Sequence, residues 1–203
     1  MECHLKAQYA GRSLGQEREF NIRLSPDHLK AMVEGHYNSK DGAKLKGRQK
    51  LEICLKMAQR HGILSEEDYN TGRLNDPKVA RYRIQAYQPM KDHHKKKIPS
   101  LLDKGEILLS SFRVSQEYLA ILPQEIYRYR APEKNTVTAR HDVHCVVLTG
   151  NGIVEKECVG RHNFESEIYY EYLNSYSHGW GVDGFGFIYA DSLHQTFRLD
   201  VRC

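Results

Sequence analysis

The sequence reads as an α+β protein, and three observations carry that reading. Leu51, Cys54, Leu55 and Ala58 recur at the spacing of one helical face. Residues 79–84 instead alternate, with Val79, Arg81 and Arg83 against Ala80, Tyr82 and Ile84, as on a strand covered on one side. Between them, Asn75-Asp76-Pro77 forms a turn signal at which the chain changes character. Residues 1–75 are therefore assigned to a partial helical lobe and residues 76–203 to a β-rich lobe, together one domain.

In chain order, Ser25-Pro26-Asp27-His28 supplies an N-cap followed by Pro at the first helical position, and opens a helix running towards Glu34. Asp41, Gly42 and the nearby lysines form a solvated loop. The amphipathic helix of Leu51 to Ala58 follows, and His61-Gly62 ends it, with Gly62 as the left-handed cap. Cys54 on its apolar face is expected to be a small buried hydrophobe. Strands are expected over 79–87, 107–112, 145–149, 168–173 and 185–190. The charged segment 92–97 is a loop, and short helical pieces are expected over 99–104 and 115–122.

At 203 residues, with 40% apolar and 10% aromatic content, the chain can bury a sizeable core. A net charge of +4 makes no case for nucleic acid, and no apolar run approaches membrane-spanning length. His93-His94-Lys95-Lys96-Lys97 is a solvated charge run, and Tyr127-Arg128-Tyr129-Arg130 an exposed strand edge. If Met1 is the true start, the absence of a signal-peptide pattern implies a cytoplasmic protein. Five cysteines at irregular spacing are expected to be thiols, not a disulfide framework.

The chemistry concentrates in two segments. His144 opens the apolar run Cys145-Val146-Val147-Leu148-Thr149-Gly150, at the mouth of an expected strand. Downstream lies Asn174-Ser175-Tyr176-Ser177-His178-Gly179-Trp180-Gly181-Val182-Asp183-Gly184-Phe185-Gly186, an aromatic and Gly-rich turn. Such a pair can supply a catalytic imidazole and the amide that orients it. The competing zinc reading uses His141, His144, Cys145, Cys158 and His162, whose order fits no common zinc spacing, and Cys145 would point away from His144 on a strand. No metal or cofactor is expected.

These residues resemble the papain-like cysteine peptidases, the cathepsins included, over about residues 20–190. Leu24-Ser25-Pro26-Asp27-His28-Leu29 is similar to the family's L-S-x-x-x-L helix start. Gly62-Ile63-Leu64-Ser65-Glu66-Glu67-Asp68-Tyr69 is similar to its G-I-x-x-E-x-D-Y turn. Val143 to Gly152 resembles the strand bearing the catalytic His, and Asn174 to Gly186 resembles N-S-W-G-x-x-W-G-x-x-G-Y-G. Among relatives, plant-type members with few disulfides look most similar.

The resemblance implies a two-lobed fold, an incomplete helical lobe packed against an antiparallel β-barrel-like lobe. It implies hydrolysis of peptide bonds in a peptide or protein substrate by a Cys/His/Asn mechanism. His144 would be the acid/base and Asn174 its orienting partner, with Tyr176 in place of the shielding Trp. Gly47, Val143, Cys145 and Trp180 would contribute to substrate binding and to the turn behind the site. The upstream candidate for the nucleophile is Cys3, which His4 and Leu5 follow instead of the family's aromatic, and only two residues precede it, leaving no place for the oxyanion Gln. Met32 stands at a common disulfide position, and Lys46-Gly47 replaces the family's Cys-x-Gly-Gly turn. These departures suit an N-terminally shortened member, or a catalytically inactive homologue that keeps a peptide-binding or regulatory cleft. Family members are otherwise vacuolar, lysosomal or secreted. Oligomeric state is not legible.

Overall fold

The computed structural model describes residues 22–38, 47–91, 95–131, 142–157 and 164–201. The chain forms two compact units, residues 1–87 with 199–203, and residues 88–198.

In the first unit, helix α1 (Pro26–Asn38) starts as its sequence demands. The Ser25 hydroxyl accepts the His28 backbone N–H at 3.0 Å, and Pro26 fills a first-turn position whose N–H would otherwise lack a partner. Helix α2 (Gly47–Arg60) buries Leu55, Met57 and Ala58. The expected apolar face is thus shifted: Leu51 and Cys54 are only half-buried, and Met57 joins the core. Partial burial still pushes the Cys54 thiol up from its ordinary pKa. Gly62 ends α2 with φ of +72°, the left-handed conformation that glycine adopts at no steric cost.

The five residues of α3 (Glu66–Asn70) follow, capped by Ser65, whose hydroxyl accepts the Asp68 N–H at 3.0 Å. Backbone bridges Leu24↔Ser65 and Ile63↔Tyr82 tie the segments before and after these helices to the α2–α3 connection. The second bridge explains why strand β1 (Ile84–Pro89) begins later than the alternation from Val79 suggested: residues before Ile84 are spent on a single contact.

The second unit holds most of the sheet. Its elements are α4 (Ile98–Leu102), β2 (Leu108–Val114), a 3₁₀ turn at Gln116–Ala120, β3 (Ile126–Tyr127), β4 (Asp142–Glu157), β5 (Phe164–Leu173), β6 (Phe185–Tyr189) and all but the last three residues of β7 (Leu193–Val201). The strand order is β1-β7-β2-β4-β5-β6-β3, with β3 parallel to β6 and the pairs β7·β2, β2·β4, β4·β5 and β5·β6 antiparallel. Among the described residues the sheet is not closed, so the expected barrel-like lobe is an open sheet ending in β1 and β3. Tyr127, read from sequence as part of an exposed edge, is buried on that edge strand, with its hydroxyl donating to the Arg113 carbonyl at 3.1 Å.

One apolar cluster fills this unit. Ile98, Leu102, Leu108, Phe112, Tyr118 and Leu148 form part of it, with Tyr172 and Ile188 beside them. Ser110 is buried in β2 because its hydroxyl donates to the Gln195 carbonyl at 2.8 Å and meets the Thr196 hydroxyl at 3.0 Å.

Candidate active site

Strand pairing places the imidazole. His144 lies on β4 directly opposite Phe112 of β2, whose ring meets the imidazole edge-on at 5.5 Å between centroids. Its neighbours Val143 and Cys145 share the other face of the strand, and Cys145 is exposed there. Asn174 is the first residue after β5, which pairs with β4, so the two segments converge although they are 30 positions apart in sequence.

The Nε2 of His144 lies 2.8 Å from Oδ1 of Asn174. The rest of the network decides how that contact is protonated. Oδ1 also accepts the Ser175 backbone N–H at 2.7 Å, so this atom must be the amide oxygen. A carbonyl oxygen cannot donate; therefore Nε2 carries the hydrogen and donates it. In the neutral ring Nδ1 is then the basic nitrogen. Among the described residues no hydrogen bond to Nδ1 occupies it.

The amide is fixed on its other side as well. Asn174 is only 8% exposed, its Nδ2 donates to the Tyr118 hydroxyl at 3.1 Å, and its backbone N–H donates to the Gly184 carbonyl at 2.9 Å. Tyr118 in turn meets the Tyr172 hydroxyl at 3.2 Å. Burial pushes the Tyr118 phenol up to about 12, and burial, followed by the contact with Tyr118, raises Tyr172 further. Both phenols stay neutral, so Tyr118 accepts from Asn174, and either hydroxyl can donate across the contact with Tyr172.

The turn after Asn174 is built for this. Gly181 has φ of +62°, and a Cβ there would come within 2.1 Å of the Phe185 carbonyl oxygen. That close approach lets Val182 and Phe185 form a backbone bridge, and the Gly184 N–H donates to the Trp180 carbonyl at 2.8 Å. Trp180 is half-buried, with ring centroids 6.0 Å from Tyr118 and 5.9 Å from both Tyr172 and Tyr176. Tyr176 lies 5.1 Å from the imidazole centroid and is 47% exposed, so it covers His144 from the solvent side only in part.

Of the residues singled out from sequence, the structure thus brings together His144, Asn174, Tyr176 and Trp180. Val143 and Cys145 stand on the opposite face of β4, Gly47 is the first residue of α2 in the other unit, and Cys3 lies outside the described residues. His141, Cys158 and His162 of the zinc reading also lie outside them. Tyr118, Phe112 and Tyr172 make contacts around His144 and Asn174 that sequence reasoning missed. Their signal was weak: an aromatic in a short helical piece or a strand reads as core.

No family model matches the sequence, and no curated protein matches it. Solved structures do match in fold. A procathepsin B from Trypanosoma congolense is similar with a TM-score of 0.62 at 15% identity, covering 98% of this chain and 65% of that one. The proform of Amb a 11, a cysteine protease and ragweed pollen allergen, gives 0.59 at 14% identity, covering 99% and 59%. A structure from a study of the mite allergens Blo t 1 and Der p 1 gives 0.57 at 19% identity, covering 98% and 62%. The chain spans about three fifths of the length of these matches. The fold is papain-like.

Proposed function

We propose that this chain, whose fold is papain-like, is a cysteine-type peptidase in which His144 is the acid/base and Asn174 its orienting partner. The observation that supports this most is the 2.8 Å bond from His144 Nε2 to Asn174 Oδ1, which leaves Nδ1 as the basic nitrogen. That tautomer is the one a thiol needs, because the proton must leave sulfur for an unprotonated ring nitrogen.

Cys3 is the thiol assigned to the reaction. Its proton passes to His144 Nδ1, and the thiolate attacks the peptide carbonyl carbon while the C=O electron pair moves onto oxygen. As that pair returns, the C–N bond breaks, the imidazolium gives its proton to the leaving nitrogen, and a thioester remains. A water molecule deprotonated by the same imidazole then hydrolyses the thioester and restores the thiol.

Hydrolysis of a fluorogenic peptide by the full chain, assayed between pH 5 and 7, tests this reading. His144→Ala and Cys3→Ser should each reduce kcat by at least about 1,000-fold, the scale of losing a nucleophile or its base. A wild-type rate that survives Cys3→Ser would remove Cys3 from the mechanism. A second reading is favoured by His4 and Leu5 following Cys3 where an aromatic is expected. In that reading the chain binds peptides without cleaving them. Saturable peptide binding with no turnover by the wild type would select it.

A further inference from the structure

The helix-rich unit contains a cavity of about 530 Å³ that the proposed peptidase chemistry does not use. Its cationic groups are Arg60 from the last turn of α2 and Arg81 from the segment before β1, with the imidazoles of His36 and His61 also in the lining. Its floor is apolar, made by Met32 of α1, Met57 of α2 and Leu74. Among the described residues no carboxylate lines it.

Two of the lining residues are held in place by hydrogen bonds to the backbone. His28, 3% exposed, accepts the Leu64 backbone N–H on Nδ1 at 3.0 Å, which fixes the ring between α1 and the α2–α3 connection. The Arg81 guanidinium is anchored by donating to the Leu74 carbonyl at 2.5 Å. Its charge is not cancelled at the cavity: burial first, and then the positive field of Arg81, lower the pKa of His28. The C-terminal carbonyls of α1 and α2 contribute about half a negative charge each at most, against two full guanidinium charges. Gly62 and the His61 N–H, which donates to the Met57 carbonyl at 2.9 Å, already satisfy part of the α2 end.

We propose that this cavity binds a small organic anion, an apolar body ending in a carboxylate, sulfonate or sulfate. The volume falls in the range that takes a small ligand, and thioether floors adapt to flat or irregular apolar groups. Planar guanidinium groups suit the oxygen pair of such an anion, and among the described residues lining the cavity no carboxylate stands beside Arg60 and Arg81 to compete with it.

The full chain titrated calorimetrically with naphthalenesulfonate, with inorganic sulfate and with the neutral naphthyl methanol separates the contributions. Naphthalenesulfonate should saturate a single site and bind at least about tenfold more tightly than either of the others, because it alone uses both floor and wall. Arg60→Gln, at an exposed position on the helix end, should weaken it about fivefold. Arg198→Gln, which removes an equal charge paired with Glu106 in the other unit, should leave the affinity unchanged. No saturable binding, equal affinity for sulfate and naphthalenesulfonate, or equal weakening by Arg60→Gln and Arg198→Gln would overturn the proposal.

Discussion

At the scale of single residues, Asn174 is held through every polar atom that matters to the imidazole: Oδ1, Nδ2 and its backbone N–H. Tyr118 is therefore a positioning residue. Replacing it by Phe keeps the buried ring but strands the Asn174 amide hydrogens in a site only 8% exposed, at a cost of about 1–3 kcal/mol. The expected outcome is a lower kcat with KM little changed, and a weakened or exchange-broadened His144 Nε2–H signal in nitrogen–proton NMR. A purely structural role would lower Tm and leave that signal alone. The same phenol sets an alkaline limit. Its pKa is raised from an ordinary 10 to about 12, so the folded state holds the proton more tightly than the unfolded chain. The stability this confers is complete below about pH 10 and is lost as pH rises through about 12. Tyr170, also raised to about 12 by burial, acts in the same direction. Thermal melts should fall across that window, and less steeply in Tyr118→Phe.

At the scale of elements, the turn from Asn174 to Gly186 and the strand bearing His144 were legible because they carry unusual residues: a run of glycines, a Trp and a His before an apolar run. The same run of glycines predicts a mutant. Gly181→Ala forces a left-handed φ on a residue with a Cβ and drives that Cβ against the Phe185 carbonyl, a cost of at least about 2 kcal/mol. It should lower Tm and also disturb the Nε2–H signal, since Gly184 anchors Asn174. Other elements were less legible for identifiable reasons. The two residues of β3 are too few to show a period, whereas β7 (Leu193–Val201) does alternate Phe197, Leu199 and Val201 against Arg198 and Asp200, a signal the sequence reading passed over behind the polar His194-Gln195-Thr196. The face of α2 was placed correctly at Leu55 and Ala58 but not at Leu51 and Cys54, which are only half-buried and look as apolar as the buried Met57. Tyr118 was invisible as a site residue, since a hydroxyl partner on another element leaves no mark on local spacing. The α1 to α3 connection has its own test. His28 must keep Nδ1 unprotonated to accept the Leu64 N–H, and burial and Arg81 lower its pKa below the usual 6.5. That stability is present above about pH 6.5 and lost as pH falls through the lowered value. Hydrogen exchange at the Leu64 amide should therefore quicken as pH falls below 6.5 through the lowered His28 pKa, against the slowing that acid imposes on an unstructured amide.

At the scale of the whole molecule, the imidazole half of the site is complete within residues 88–198, whereas the assigned thiol belongs to the other end of the chain. A thiol census of the intact protein tests that assignment. Cys54 is half-buried with its thiol pKa pushed up by burial, so it should alkylate slowly at every pH below neutrality. Cys145 is exposed, but it lies on the face of β4 opposite the His144 ring, so its modest rate should be indifferent to that ring. A thiol paired with an imidazolium behaves differently. At pH 5 a free thiol near 8.5 is thiolate to only a few parts in ten thousand, while a paired one near 4 is almost fully ionised. The lower basicity of the paired thiolate returns about 100-fold of that gain, leaving a net advantage of about 30-fold. Iodoacetamide labelling at pH 5, mapped peptide by peptide, should therefore find one cysteine whose rate falls about 30-fold in His144→Ala, and that cysteine should be Cys3. A map in which no cysteine responds to His144→Ala would leave the imidazole without a thiol partner and turn the assignment to the non-cleaving reading.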